Sequence, residues 1–371
     1  MRRVLAATLV MGCYAPTPPT GAPCPDGVCP SGLVCSPATR TCEVSSVDGR
    51  DAMADIMVDF APPPTFLYRR RITITNASQS VLPAGFTIRV PLTQLSNWVQ
   101  LGKARSDYAD LRILGDGTIG ERDRILDAPS GPAPVAVSFS LARSIDAGQT
   151  NSDYALYYGA PSAGAPPTNG NAVFTLFDDF TSGVSSAWLT NDGPSASGGQ
   201  LVLRAAHTDA LTTNAASDAI PIVSAVELIA SIENPASEPT VQPTGTFWYW
   251  FGYQHTGDFT ASEPWAVWIA RGKNSIQSEQ KSPLGCEMQC TGPTLSQDTA
   301  PHYFAIERDV GATRFYRDGA LSATLSVTNT GDYSIMVRNF MATSAVRIDY
   351  VRARARVSPD PTTALGNEEN L

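Results

Sequence analysis

From Phe66 onward the apolar residues of this chain recur at every second position. "RITIT" alternates Ile72 and Ile74 with threonine, and "GFTIRVPL" sets Phe86, Ile88, Val90 and Leu92 on one side. "PVAVSFSLA" does the same with Val135, Val137, Phe139 and Leu141, and "SDYALYYG" with Tyr154, Leu156 and Tyr158. Period two is the signature of a strand with one buried face. One stretch departs from it: "LTQLSNWVQLGK" places Leu92, Leu95, Trp98 and Val99 at helical spacing, which predicts a short helix. After "FTLFDDFTSG" the alternation continues through "QLVLRA", "SAVELIASIE", "TGTFWYWFGYQ", "EPWAVWIARG", "HYFAIERD", "TRFYRDGALSATLS", "YSIMVRN" and "VRIDYVRARARV", punctuated by Asp-Gly and Asn-Thr-Gly turns. With this many strands and no long helix, the core can close only by packing sheet on sheet. The expectation is an all-β chain with two β-sandwich domains.

The first 64 residues cannot join such a core. Ten of the 29 prolines fall between Tyr14 and Pro64, so residues 14–23 and 44–64 read as extended tethers. Between them lie Cys24, Cys29, Cys35 and Cys42, in a module too small to fold without covalent staples. Their gaps of four, five and six residues, with no histidine nearby, fit disulfides better than zinc. Three pairings remain open. Cys286 and Cys290 in "CEMQC" form a third candidate pair, in what reads as a loop between "SPLG" and "TGPT". An even, clustered set of six is the mark of an oxidising compartment.

The seventh cysteine sits at the start. Arg2 and Arg3 precede an apolar run from Val4 to Met11, far shorter than the roughly 20 residues of a membrane span. "Val10-Met11-Gly12-Cys13" resembles the bacterial lipobox, although Met11 replaces the small residue usual there. The resemblance implies cleavage after Gly12, lipidation of Cys13, and a protein exported and lipid-anchored to the outer membrane or cell surface. The formal charge of -9, with lysine only at Lys103, Lys273 and Lys281, argues against nucleic acid as a partner.

Two further resemblances divide the remainder. "FLYRRRITITN", "GKARSDYADLRIL" and "YALYYGAP" occur in the order of a bacterial domain of unknown function found in secreted multidomain proteins. The strand succession after it, with the "FYRDGALSAT" hairpin and the late "IDYVRARA" strand, is similar to concanavalin A-like (laminin-G-like) jelly rolls, and implies that the first and last strands pair. The expected organisation is a signal over 1–12, a tether with the cysteine module over 13–64, a β-sandwich over 65–177, a jelly roll over 178–358, and a loose polar tail over 359–371.

No catalytic motif is recognised. His207, His255 and His302 sit in no signature, and G-x-S-x-G and phosphate-binding glycine loops are absent. Jelly-roll glycosidases set two carboxylates close together, commonly as E-x-D-x-E, and no such stretch occurs. Glu227 and Glu233 share a strand face but stand about 20 Å apart. Calcium is the one cofactor left open: Asp178, Asp179 and Asp349 would meet if the first and last strands pair, and jelly rolls of this kind often carry the ion.

The strongest remaining signal is aromatic. In "TFWYWFGYQH" the alternation sends Phe247, Tyr249 and Phe251 to one face and Trp248 and Trp250 to the other, while Trp265 and Trp268 face oppositely. Rings on an open face stack on sugars. The expected site is therefore Trp248 and Trp250 with Gln254, His255, Glu263 and Arg271, taking a polysaccharide or another envelope polymer. The expectation is a lipid-anchored glycan-binding protein rather than an enzyme. A structural or adhesive envelope protein and a polysaccharide-active enzyme are the alternatives.

Overall fold

The computed structural model describes residues 24, 29, 33–35, 40–44, 65–127, 135–204, 208–213, 220–234, 249–255, 264–272, 275–282, 286–329, 333–340 and 344–371. The chain divides into two compact units, residues 1–63 and 64–371.

In the first unit β1 (Leu33–Cys35) and β2 (Cys42–Val44) pair antiparallel. Disulfides Cys24–Cys35 and Cys29–Cys42 join Cα atoms 6.0 and 5.8 Å apart. One of the three open pairings is thereby selected.

The second unit opens with β3 (Tyr68–Thr75), β4 (Thr87–Pro91), α1 (Leu95–Gln100), β5 (Arg112–Gly115), β6 (Gly120–Arg122), β7 (Arg124–Asp127), β8 (Ala136–Ser140), β9 (Thr150–Tyr158) and α2 (Gly170–Val173). These build the first sandwich. The alternating residues meet as its core: Ile72 and Ile74 of β3, Ile88 and Val90 of β4, Val137 and Phe139 of β8, and Tyr154, Leu156 and Tyr158 of β9. Helix α1 buries Leu95 and Trp98 as expected, and the Trp98 ring stacks on Tyr158 at 4.6 Å. The charged stretch Gly102–Leu114 is structural. Asp110 accepts from the amides of Arg105 and Gly159 at 3.1 and 2.9 Å, and Arg112 donates to the Leu111 and Gly164 carbonyls.

The jelly roll follows as β10 (Leu176–Asp178), β11 (Trp188–Asn191), β12 (Ser195–Ala196), β13 (Leu201–Leu203), β14 (Thr208–Thr212), β15 (Ser224–Ile232), β16 (Tyr249–His255), β17 (Trp265–Gly272), β18 (Ser275–Ser282), β19 (Cys286–Ser296), β20 (His302–Arg308), β21 (Ala312–Arg317), β22 (Ala320–Ser326), β23 (Tyr333–Asn339) and β24 (Val346–Ala355). One sheet runs β12-β13-β24-β15-β20-β21-β22, with β10 also on β24. The other runs β11-β14-β23-β16-β17-β18-β19. First and last strands pair as expected, Phe177 opposite Arg352. The β21–β22 turn places Asp318 and Gly319 at φ 52 and 79°, the left-handed pair that a two-residue hairpin requires. Between the sheets lie Phe251, Tyr253, Trp268, Phe304, Phe315, Ile335 and Val351.

Two expectations change. The tail is not loose: β25 (Thr362–Asn370) pairs with β3, so the five-stranded sheet of the first sandwich reads β25-β3-β9-β5-β6. Glu368 explains much of this. It meets Lys103, accepts from the Tyr158 hydroxyl at 2.7 Å, and lies 3.9 Å from Arg70. The first sandwich is thus built from both sides of the jelly roll in sequence, not from 65–177 alone. Likewise "CEMQC" is not a loop but the start of edge strand β19. Ser282 opposes Cys286 and Gln280 opposes Cys290, so four residues of β19 span two of β18. That bulge draws the two cysteines closer than the roughly 13 Å that four residues of a regular strand would cover. Cys290 is disulfide-bonded.

The three-stranded sheet β4-β8-β7 meets the outer face of the eight-stranded sheet through charge. In "VRARARV" the alternation buries Val351 and Ala353 and sends Arg352 and Arg354 outward. Arg352, 2% exposed, binds Asp127 at 2.5 Å and Glu227 at 2.8 and 2.5 Å. Arg89 reaches Asp127 at 2.8 Å, and Arg354 reaches Glu227 at 3.2 Å. Arg356 continues the ladder to Glu307, Asp309 and Asp360. Burial opposes ionisation of Glu227, but Arg352, Arg354 and Arg89 overcome it and hold the carboxyl well below the usual range.

Candidate ligand-binding face

The register of the seven-stranded sheet fixes which residues share its outer face. One cross-strand row reads Asp209, Arg338, Trp250, Ile269 and Gln277. The next reads Leu211, Met336, Gly252, Val267 and Glu279, and the third Ser334, Gln254, Trp265 and Lys281. Gly252 interrupts its row for a backbone reason. Its φ is +145°, and a Cβ there would meet the Ala266 carbonyl oxygen at 2.5 Å. Tyr249, Phe251 and Tyr253 take the opposite side and fill the core, and Trp268 joins them while Trp265 does not. The aromatic alternation read from "TFWYWFGYQH" and "EPWAVWIARG" is therefore that of the fold.

The expected open tryptophan platform is a different matter. Trp250 is 1% exposed and sits in a small apolar cluster with Trp265, Val267 and Ile269. Its ring lies 5.4 Å from that of Trp265, tilted by 57°. Trp250 is thus a packed residue and offers no flat face to a ligand. Gln254 is also fully buried. Trp248 and Glu263 lie outside the described residues, and His255 and Arg271 are described in backbone only, near the ends of β16 and β17. Trp265 is buried as well, at 8% exposed, with the Lys281 ammonium 5.5 Å from its ring centroid, and the partly buried Phe340 packs against the same cluster. The Trp265 indole N–H is buried and has no acceptor among the described residues. Gln254 adjoins it on β16 and Lys281 on β18, with Glu279 one row along. Sequence reasoning passed over Lys281 and Glu279 because "SIQSEQKS" is polar but for Ile276 and carries no apolar alternation. Their place on this face comes only from pairing with β17.

The calcium site is not assembled. Asp178 is consumed by its own turn, accepting from the Phe180 amide at 2.9 Å, Ser185 Oγ at 2.7 Å and the Trp188 indole at 2.9 Å. Asp179 binds Thr181, and Asp349 is exposed at the bulge where β24 slips against β15. Among the described residues only Cys24, Cys29 and Cys42 gather ligand atoms within 4.8 Å, and disulfides occupy them.

Nor do the described carboxylates of this face, Asp209 and Glu279, form a hydrolytic pair. They stand four strands apart, about 19 Å, against the roughly 5–9.5 Å that glycoside hydrolysis needs. Asp209 is moreover clamped by both nitrogens of Arg338 at 2.6 and 2.8 Å. What the face can do, on its described residues, is hold polar groups against an aromatic edge.

No family model and no curated protein matches the chain. Solved structures do overlap with about half of it. An endo-acting O-glycanase of the human gut microbiota is 15% identical over 49% of this chain and 98% of its own, with a TM-score of 0.37. The laminarinase of Rhodothermus marinus is 12% identical over 49% and 96%, with a TM-score of 0.38. An uncharacterised protein from Mycobacterium paratuberculosis is 13% identical over 48% and 100%, with a TM-score of 0.34. Overlaps of this degree transfer no residue roles.

Proposed function

We propose that this chain is an exported, lipid-anchored protein whose jelly roll binds a glycan without hydrolysing it. The site is the Trp265 end of the outer face of the seven-stranded sheet. The observation that carries this reading is the Trp265 indole N–H, a buried donor with no acceptor among the described residues, on a ring that the Lys281 ammonium approaches to 5.5 Å. A sugar hydroxyl accepts from an indole N–H, so Trp265 suits a polyol. Single contacts of this kind are weak, and many anchored copies on one polymer raise the apparent affinity by avidity. Cys13 would supply the anchor, with the proline-rich segment after it as the tether.

The test is retardation in gels cast with a panel of polysaccharides, with reducing-sugar release measured alongside. Wild-type protein is retarded by at least one polymer and releases no sugar. Trp265→Phe, which keeps a ring and loses the N–H, is retarded less. Unchanged retardation in a folded Trp265→Ala protein moves the site off this face, and sugar release refutes the non-hydrolytic reading.

A further inference from the structure

Among the described residues of the jelly roll, two fully buried arginines are treated differently. Arg352 meets two carboxylates. Arg308, the last residue of β20, is 1% exposed, yet its Nε and Nη2 have no hydrogen-bond partner among the described residues. Its guanidinium carbon lies 3.6 Å from the centroid of the Tyr333 ring and 4.8 Å from that of Tyr253. The two rings meet edge to face at 6.1 Å. The acid next to it in sequence, Asp309, is engaged elsewhere, with Arg314 and Arg356.

Among the described residues, the polar groups around this guanidinium are hydroxyls, which can donate as well as accept. The Tyr333 hydroxyl is buried without a partner among the described residues. The Tyr253 hydroxyl and Ser224 Oγ share one hydrogen bond of 2.9 Å, which uses one of their two protons and leaves the other. Ser224 stands directly across from Arg308 in the β15–β20 register. The phenols do not neutralise the arginine: burial raises Tyr253 to about 12 and raises Tyr333 as well, so both are uncharged near neutral pH. Arginine does not shed its proton in proteins. Ring faces attract a cation, but they leave its Nε and Nη2 unmatched, and no described carboxylate compensates its charge.

We propose that Arg308, with the hydroxyls of Tyr333 and of the Tyr253–Ser224 pair, forms an internal site for one small monovalent anion of the size of chloride or bromide. The fixed positive charge of Arg308 selects for negative charge, and the hydroxyls can turn their protons toward it. Burial of Arg308 and Tyr333 selects for small size, because a carboxylated polymer or a bulky organic anion cannot follow the side chains between the sheets. Binding at such a site stabilises the folded jelly roll by mass action.

The test compares thermal unfolding of the full chain in sodium chloride, sodium bromide and sodium gluconate at equal ionic strength. The expected result is a melting temperature that rises with chloride or bromide and not with gluconate. Chlorine-35 line broadening should accompany it. Arg308→Met removes both effects. Tyr333→Phe keeps the ring and deletes one donor, and should raise the half-effective chloride concentration about tenfold. Equal melting temperatures in the three salts overturn the proposal, as does a chloride response retained in Arg308→Met. Should that variant fail to fold, an unchanged half-effective concentration in Tyr333→Phe overturns it instead.

Discussion

Replacing Arg352 by methionine tests whether the first sandwich and the jelly roll are held by charge. The substitution roughly conserves volume, so its main effect is to withdraw one guanidinium from two carboxylates, Asp127 and Glu227, both nearly fully buried. Breaking a buried pair by removing one partner costs about 3–5 kcal/mol, because the other charge stays desolvated. Two carboxylates are stranded here, which pushes the cost upward. Arg89 still holds Asp127 at 2.8 Å and Arg354 still holds Glu227 at 3.2 Å, which pulls it down. The expectation is therefore the middle of that range, about 4 kcal/mol, a large share of a typical total of about 5–15 kcal/mol. For a unit of this size it corresponds to a fall in melting temperature of about 6 °C. Urea unfolding followed by circular dichroism measures it. The control is the triple variant Arg352→Met, Glu227→Gln, Asp127→Asn, in which no charge of the trio remains. If uncompensated charge is the cause, the triple variant recovers part of the loss. A loss below about 1 kcal/mol in the single variant, typical of an exposed pair, would refute the argument. So would a triple variant less stable than the single one.

Three other outcomes follow from the same structure. Glu227 is held below its usual pKa, so its contribution is complete above about pH 4.3 and declines as the pH falls further. Glu227→Gln should flatten the acid limb of the stability profile, and an unaltered limb would mean that Glu227 does not govern it. Ending the chain after Asp360 removes β25 and the Glu368 contacts, and hydrogen exchange should then accelerate along the β3 edge that β25 covers, with β20 unaffected. Peptide mapping without reductant should find Cys286 joined to Cys290, with reduction costing about 2 kcal/mol or less for so small a ring. A Cys290 bridged elsewhere would show that the β19 bulge does not bring the pair together.

Local pattern carried much of this fold. Alternation is a property of single strands, so Ile72 and Ile74, Tyr154 to Tyr158, and the inward Tyr249 and Phe251 could be assigned to a buried face before any partner strand was known. The helix at Leu95–Gln100, the Asp318–Gly319 hairpin and the pairing of first and last strands were equally accessible. The sequence also declared the all-β class and the need for disulfides around Cys24 to Cys42. Other features depend on what lies across from a residue, and spacing does not encode that. Trp250 has the alternation of a ligand platform, but tertiary packing against Trp265, Val267 and Ile269 makes it interior. Asp178 has the chemistry of a calcium ligand, but its own turn and Trp188 take its oxygens first. Thr362–Asn370 is polar and reads as a loose end. It is ordered because β3 offers an open edge of backbone donors and acceptors some 290 residues earlier in the chain. The arginines of "VRARARV" look alike in sequence. Arg352 is a lock only because Asp127 and Glu227, distant in the chain, converge on it, and Arg308 is a lone buried cation only because no described carboxylate does. Burial and charge pairing are set by long-range neighbours, and the tertiary structure alone supplies them.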